Sequence, residues 1–320
     1  MIRSFVSGGS ALVGGGAIQM GISFAANLAL VRVISPEEFG LYALTVSLAS
    51  IVFTIASLRL VTLIIREPES SFTADAAQRY CGALLVETSL ATAITLAILF
   101  ISGTASWKTV AVAVTVAATH ALGTVKAFYE RHMPYGRLAL METSVVALSQ
   151  VGAVGLALGG AGDVALYVRD AAAVIMAAGA LHLFGGLMLH QPRFPTIAEW
   201  GRLFVAARGV WLDGVLEGLF QRVTILLAGM AGGARDAGFF FQAQRLAMVP
   251  HLALSPIISR AAMTWISRLE EPEKQRAARN QLVAFTSVPL SLASIAVFAF
   301  PEPIVAFLLG PSWASSAPLL

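Results

Sequence analysis

Nine long apolar stretches, separated by short polar segments, run from Ser10 to Phe300. A helix of about 20 residues crosses the ~30 Å hydrocarbon core of a membrane, and each stretch is long enough to do so. Backbone groups in lipid must be paired within their own segment, so the stretches are predicted to be helices. The chain is therefore predicted to be an all-α polytopic membrane protein. The predicted spans are 10–31, 40–64, 80–102, 107–128, 139–160, 164–189, 205–231, 237–262 and 281–300.

The composition also indicates a membrane protein and gives no sign of an enzyme. Apolar residues make up 57% of the 320 residues and charged residues 12%, whereas soluble domains carry roughly 25% charged residues. The single cysteine, Cys81, excludes disulfides within the chain. The sequence contains none of the motifs GxxxxGK[ST], HExxH, CxxC and GxSxG, and no predicted outer loop is long enough for a catalytic domain. We therefore expect no enzyme activity, no metal site and no cofactor.

The distribution of lysine and arginine predicts the orientation. If the N-terminus is cytoplasmic, most of these residues lie at the inner ends of the spans, as the positive-inside rule requires. The outer ends then carry only Arg32, Lys108, Arg169 and Arg235. The sequence pI near 9.3 follows from this topology and from contact with anionic lipid headgroups. No nucleic-acid partner is expected.

An internal repeat predicts the domain organisation. Shifting the chain by 198 positions (238 − 40) lays Gly40 on Gly238 and the first three spans on the last three. We divide the chain into a six-helix N-terminal lobe at 1–190, a cytoplasmic linker at 191–203 and a partial three-helix C-terminal lobe at 204–320. Secondary transporters commonly consist of such repeats, with the substrate site between them.

Polar residues at helical spacing predict a hydrophilic cavity between the two lobes. They recur every three or four residues, so those of one span share a face. The members of these polar faces are Gln19, Ser23 and Asn27 on the first span, Ser47, Ser50, Thr54 and Ser57 on the second, and Asp213, Glu217 and Gln221 on the seventh. The alternative is that small polar residues only pack helices together. The pairs Gly155/Gly159 and Gly214/Gly218 have the GxxxG spacing of packed helices and are assigned to that role.

Two carboxylates on the seventh span are candidates for ion coupling. Asp213 and Glu217 lie one turn apart, so like-charge repulsion favours a bound proton on one of them. This arrangement suits coupling to H⁺ or Na⁺, with Arg245 of the eighth span neutralising the pair. A structural ion network without a transport role stays open. Glu87, Glu142, Asp170 and His120 also lie within spans and are assigned structural roles.

Three segments resemble a known family. The stretch RVISPEEFGLYAL from Arg32 to Leu44 resembles the first outer loop and second-helix start of bacterial polysaccharide flippases. Residues 226–250 resemble the counterpart of that segment in the second half, and residues 308–320 resemble the segment before the tenth helix. These flippases export O-antigen and exopolysaccharide, and they belong to the MOP superfamily together with MATE multidrug transporters.

The resemblance implies a MATE-like fold of two six-helix lobes with about twelve helices. Because this sequence stops at Leu320, the resemblance implies C-terminal truncation by about three helices. It further implies alternating-access transport of a polyprenyl-pyrophosphate-linked oligosaccharide across the bacterial inner membrane. Expected partners are that lipid-linked oligosaccharide, membrane lipids and other proteins of lipopolysaccharide or exopolysaccharide assembly.

The resemblance also suggests roles for the polar residues in the spans. Arg245 and Arg222 are expected to attract the pyrophosphate, while Asp213 and Glu217 couple transport to H⁺ or Na⁺. Hydrogen bonds to sugar or phosphate oxygens are assigned to Gln19, Asn27, Ser50 and Thr54. Three alternatives remain open, namely a MATE-like ion-coupled multidrug or cation antiporter, an inactive truncated remnant, and a membrane-embedded glycan polymerase.

Overall fold

The computed structural model describes residues 2–132, 135–184, 190–250 and 271–320, and all regular secondary structure in these ranges is helical, without strands. The longer helices are α1 (Ile2–Val31), α2 (Pro36–Ala56), α4 (Ala74–Ile101), α5 (Trp107–Glu130), α6 (Tyr135–Leu156), α7 (Val164–Leu183), α8 (Ile197–Ala247) and α9 (Pro272–Ala299). The shorter ones are α3 (Leu60–Arg66), α10 (Pro301–Leu308), a π-turn at Ala157–Ala161 and a 3₁₀ segment at Pro311–Leu319.

Seven helices of the described ranges are long and apolar enough to cross a membrane. They are α1, α2, α4, α5, α6 with its π-turn, α7 and α9, which match the first six predicted spans and the ninth. The predicted spans 205–231 and 237–262 fall in α8, which carries more charge, and the second continues beyond residue 250 outside the described residues. The prediction of an all-α polytopic membrane protein is confirmed.

Helix α8 folds back on itself at Gly233. This residue has φ 80° and ψ −171°, a backbone conformation that glycine adopts without the Cβ clash of other residues. Gln244 on one side of the bend donates a hydrogen bond to the carbonyl of Gln221 on the other side, at 3.3 Å. Residues 197–232 and 234–247 therefore form two arms of an antiparallel hairpin.

The α8 hairpin packs closely along α2, and glycines make this approach possible. A Cβ atom on Gly229 would lie 2.4 Å from the Leu44 side chain, and one on Gly218 would lie 2.9 Å from Thr54. Gly218 meets Thr54, and the later residue Gly229 meets the earlier residue Leu44. The first arm of α8 therefore runs antiparallel to α2.

The closest contact between these helices has the symmetry of the sequence repeat. A Cβ on Gly40 would lie 1.6 Å from the Ala234 carbonyl oxygen, and one on Gly238 would lie 2.0 Å from the Pro36 carbonyl oxygen. The contact partners are repeat equivalents, because both pairs differ by 198 positions (238 − 40 and 234 − 36). Each half thus presents the same two positions to the other half, as the two subunits do in an isologous interface. The sequence repeat therefore corresponds to a local pseudo-twofold contact.

A tryptophan from the last segment covers this contact. The Trp313 indole is fully buried and donates from Nε1 to the Val31 carbonyl at 2.7 Å. Its ring meets Phe39 and Phe239 edge-on, with centroids 5.7 and 6.0 Å away. We call this end of the bundle, which carries the α1–α2 turn at residues 32–35 and the bend at Gly233, the turn end. The turn end is sealed by apolar packing.

The prediction of one continuous helix over 40–64 is wrong. Helix α2 ends at Ala56, Arg59 adopts the left-handed conformation with φ 56° and ψ 44°, and α3 begins at Leu60. Side chains take over the backbone hydrogen bonds that the break sets free. The Leu58 N–H donates to Glu87, the Arg59 N–H donates to Ser57 Oγ, and Trp211 donates to the Ile55 carbonyl. The apolar pattern continues through the break and therefore does not reveal it.

The linker is attached to α4 by arginine contacts. The Arg193 N–H donates to the Gln78 carbonyl at 3.0 Å, and its guanidinium contacts Asp75 and Glu199 at 2.8 and 2.7 Å. Glu199 also closes a capping box with Thr196 at the start of α8. Hydrogen bonds from Arg193 and from the Thr196 N–H hold the pKa of the Glu199 carboxyl well below its usual range.

Candidate functional site

An open cavity of about 890 Å³ lies between the helices and is lined by residues of α1, α2, α5, α6, α7 and the first arm of α8. Cavities of about 300 to 1,000 Å³ are typical of small-molecule sites. Five of the predicted site residues line it, namely Gln19, Ser50, Thr54, Glu217 and Arg222. Each of the predicted polar faces, on the first, second and seventh spans, thus contributes at least one side chain to the same space.

The charged lining residues are Arg59, Lys126, Glu142, Asp170, Glu217 and Arg222. Two of the carboxylates have cationic partners, since Lys126 contacts Glu142 at 2.6 Å and Arg169 contacts Asp170 at 2.8 Å. Neither Arg59 nor Arg222 forms an ion pair within the described ranges, and the buried Arg59 Nε atom has no hydrogen-bond partner there. Among these lining residues, Arg59 and Arg222 therefore have no anionic partner, and Glu217 has no cationic partner.

The break between α2 and α3 places Arg59 in the cavity. Because Arg59 is the left-handed residue of the break, its side chain turns towards α8, where Gly214 leaves room for it. A Cβ on Gly214 would lie 1.9 Å from Arg59 Nη2. Sequence reasoning placed Arg59 in a span but assigned it no site role. An arginine in an otherwise apolar span is itself a signal, because such residues usually face water or a ligand.

Three other predicted site residues do not line the cavity. Asp213 is exposed on α8, one turn from Glu217. Asn27 is buried and donates to the Gln242 side chain at 3.0 Å. Arg245 lies beyond the cavity, where its electrostatic neighbours are Arg169, Tyr42 and Asp170. The expectation that Arg245 neutralises Asp213 and Glu217 is therefore wrong, because the second arm of α8 carries Arg245 towards α7.

A partly buried hydrogen-bond network joins α2 to α7 between the cavity and the turn end. The Tyr42 hydroxyl donates to Asp170 Oδ2 and accepts from Arg169 Nη2 at 2.8 Å. Asp170 Oδ1 also accepts from Arg169 Nε at 2.8 Å. In the part of the chain that the structure describes, Asp170 is the only carboxylate near Arg169 and Arg245.

No group of three histidine, cysteine, aspartate or glutamate side chains within the described ranges could hold a metal ion. A family model described as polysaccharide biosynthesis protein matches residues 29–318. The chain belongs to this family. No curated protein and no solved structure matches it. The resemblance to polysaccharide flippases is confirmed at the level of the family, and family membership gives this multi-pass membrane protein a role in polysaccharide biosynthesis.

The family match begins at the turn end and finishes in the 3₁₀ segment that covers it. Residues 32–44 form the α1–α2 turn and the start of α2, and residues 226–250 contain the bend at Gly233. The third resembling segment, 308–320, contains Trp313. The motifs that resemble the family therefore build the sealed turn end, whereas the charged lining of the cavity lies outside them.

The Asn27–Gln242 pair offers a test of the pseudo-twofold relation. The repeat equivalents of these two residues are apolar, namely Ile225 (27 + 198) and Leu44 (242 − 198), and they share an apolar cluster. Asn27→Ile is expected to destabilise the protein by about 1–3 kcal/mol, because the oxygen of the fully buried Gln242 amide loses its hydrogen-bond donor. The double variant Asn27→Ile/Gln242→Leu is expected to recover most of this loss.

Thermal unfolding in detergent measures both effects, with Asn27→Gln as a polar control. A double variant at least as unstable as Asn27→Ile would show that the two halves do not pack equivalently at these positions.

Proposed function

We propose that the protein moves a polyprenyl-pyrophosphate-linked oligosaccharide across the bacterial inner membrane through this cavity. The observation that carries the proposal is the pair of guanidiniums, Arg59 and Arg222, which line the cavity between the helices without an ion pair in the described ranges. Family membership supports a polysaccharide-related substrate.

The lining suits a ligand with an anionic group and a sugar portion. Moving a bare pyrophosphate through hydrocarbon would cost roughly tens of kcal/mol in lost solvation free energy. Guanidiniums bind phosphate oxygens in bidentate geometry and lower that cost. Gln19, Ser50 and Thr54 offer hydrogen bonds to sugar hydroxyls, while the prenyl chain remains in the surrounding lipid.

The sealed turn end fits one state of an alternating-access cycle. With the N-terminus cytoplasmic, the turn end faces outward, and Gly40, Gly238 and Trp313 form the outer seal. Release to the outer leaflet then requires that the two repeats separate at their pseudo-twofold contact. Glu217 is the predicted ion-coupling carboxylate that faces the cavity, so we assign coupling to H⁺ or Na⁺ to Glu217 rather than to Asp213.

Pyrophosphate binding tests the role of the guanidiniums. Arg222→Ala and Arg59→Ala are each expected to weaken binding of geranylgeranyl pyrophosphate by about 10- to 100-fold, the effect of losing a hydrogen-bonded charge. Arg222→Lys keeps the charge but loses the bidentate fork, so its loss is expected to be smaller. Isothermal titration calorimetry on protein in lipid nanodiscs measures the affinities.

The exposed Arg202, at the start of α8 and outside the cavity, provides the control variant Arg202→Ala, which is expected to bind as the parent does. Equal affinities of the parent and Arg222→Ala would refute the anion site. Preferential binding of an organic cation such as tetraphenylphosphonium would instead favour the cation antiporter.

A further inference from the structure

Arg245 on the second arm of α8 carries a positive charge that the described residues do not balance. Asp170, the carboxylate near it, already accepts hydrogen bonds from Arg169 Nε at 2.8 Å and from the Tyr42 hydroxyl. Arg245 forms neither an ion pair nor a hydrogen bond in the described ranges. Two guanidiniums therefore share one carboxylate. Because an ionised side chain inside a membrane protein usually faces water or a partner, the charge left over marks a candidate binding site.

The other carboxylates that line the cavity do not balance Arg245. Glu142 is paired with a lysine of α5 at 2.6 Å. Glu217 follows Gly214 by one helical turn, on the part of α8 against which the Arg59 guanidinium lies, and it is not an electrostatic neighbour of Arg245. An anion from outside the chain can therefore neutralise Arg245.

The charge on Arg245 lies apart from the guanidiniums that line the cavity. Tyr42 is an electrostatic neighbour of both Arg222 and Arg245, but these two arginines are not neighbours of each other. The Arg59 guanidinium lies against Gly214, which precedes Arg222 by 8 residues (222 − 214), or about 12 Å along the helix. The two phosphorus atoms of a diphosphate share one oxygen, so a single diphosphate is too short to contact Arg59 and Arg245 at once.

The surroundings of Arg245 connect it to the cavity and offer a further hydrogen-bond donor. Its neighbour Gln244 donates to the carbonyl of Gln221, and both Gln221 and Asp170 line the cavity. The Arg245 side chain is partly exposed. Gln242 lies one turn before Arg245 on the same side of the arm, and its Nε2 atom has no hydrogen-bond partner in the described ranges. A carboxylate beside Arg245 thus has both a guanidinium and an amide within the same helix turn.

We propose that Arg245 forms a second anion site, separate from the diphosphate site, and that this site binds an acidic group of the glycan. The substrate is then an acidic oligosaccharide, such as one that contains a uronic acid, rather than a neutral one. The assignment rests on the proposed function, because it takes the diphosphate to lie between Arg59 and Arg222. A sugar carboxylate matches the planar fork of an arginine in bidentate geometry.

The order of the two sites agrees with entry of a lipid-linked substrate from the cytoplasmic side. If the N-terminus is cytoplasmic, Arg59 lies at the inner end of the cavity and Arg245 lies towards the turn end. The diphosphate joins the prenyl chain to the first sugar, so it stays near the lipid while the glycan extends inward. The cavity follows α5 from Val112 to Lys126, over 14 residues (126 − 112), or about 21 Å. This length accommodates a diphosphate followed by a short oligosaccharide.

Binding of free oligosaccharides tests the second site without a lipid. The probes are tri-galacturonic acid and its methyl ester, which has the same sugars but no charge. Isothermal titration calorimetry at pH 7 on the parent in lipid nanodiscs is expected to show about 10- to 100-fold tighter binding of the acid, the effect of hydrogen bonds to a charged group. Arg245→Gln is expected to remove most of this preference.

A crosswise comparison separates the two sites. Arg245→Gln is expected to leave the affinity for geranylgeranyl pyrophosphate unchanged, whereas Arg59→Ala lowers that affinity and leaves binding of the acidic trisaccharide unchanged. Arg202→Ala is the control for loss of an exposed arginine outside the cavity and is expected to bind both probes as the parent does. Arg245→Gln is also expected to unfold at no lower temperature than the parent, because it removes an unbalanced charge rather than an ion pair.

Equal affinities of the parent for the acid and its ester, or no binding of the acid, would overturn the proposal. Loss of affinity for both probes in Arg59→Ala and in Arg245→Gln alike would show a single anion site and overturn it too, while the transport proposal would stand. Inorganic phosphate that binds as tightly as the trisaccharide and displaces it would assign the site to a free anion instead. Binding of the acid without binding of geranylgeranyl pyrophosphate would refute the diphosphate site and leave the second site in place.

Discussion

Replacing Gly238 with leucine is expected to remove nearly all correctly folded protein from the membrane. The new Cβ would lie 2.0 Å from the Pro36 carbonyl oxygen and 3.1 Å from the Gly40 N atom. Both are backbone atoms that cannot rotate away, so the two helices would have to separate. Overpacking that side chains can relieve costs about 1–3 kcal/mol, and a backbone clash at the pseudo-twofold contact is expected to exceed that range.

The measurement is the yield of monodisperse protein in fluorescence-detected size-exclusion chromatography after detergent extraction. Gly152→Leu on α6 is the matched control, because its glycine is exposed and nothing in the described ranges lies within 4 Å of the added Cβ. A Gly238→Leu variant with the yield and elution volume of Gly152→Leu would show that the helices do not approach so closely.

Hydropathy was sufficient to predict most of the helices, because lipid requires every backbone group to be paired within its segment. The helices α5 and α7 begin at the first residue of their predicted spans, whereas α4 and α9 begin 6 (80 − 74) and 9 (281 − 272) residues before theirs. The break at residues 57–59 could not be predicted in this way. It depends on side chains of Glu87 and Trp211, which lie far from it in sequence and meet it only in the folded bundle.

The glycine pairs show the same limit of sequence reasoning. Gly214/Gly218 and Gly155/Gly159 have identical GxxxG spacing and were both assigned to packing. Arg59 and Thr54 crowd the first pair, whereas nothing in the described ranges lies within 4 Å of a Cβ on the second. Spacing places two glycines on one face of a helix, but it does not determine whether another helix lies against that face.

The candidate site was predictable where a polar face follows one helix, and unpredictable where it depends on the angle between helices. Gln19, Ser50 and Thr54 line the cavity as their helical spacing suggested. Arg245 shares a hairpin with Arg222, but the bend at Gly233 turns the second arm so that Arg245 lies near Asp170 instead. The sequence indicates the presence of a turn there and not the direction in which the arm returns.

The network around Asp170 provides the second large effect. Asp170→Asn is expected to destabilise the protein by about 1.5–3 kcal/mol, the range for hydrogen bonds to a charged group, because the Asp170 side chain is 30% exposed and the pair is only partly buried. The Arg169 side chain is 10% exposed and contacts Asp170 at 2.8 Å, and Arg245 adds a second cation nearby. Asparagine has nearly the same shape but no charge, so packing changes little and the loss reports the electrostatics.

Arg169→Gln is expected to cost less than Asp170→Asn, because Arg245 remains to neutralise the carboxylate, and the double variant should be more stable than Asp170→Asn alone. Glu69→Gln is the control for an exposed pair, since Glu69 contacts Arg131 but is 88% exposed, and its expected loss is below about 1 kcal/mol. Thermal unfolding of all four variants in one detergent gives the comparison. If Asp170→Asn unfolds at the temperature of Glu69→Gln, Asp170 does not neutralise a buried cation, and the network between α2 and α7 contributes no more to stability than a surface ion pair.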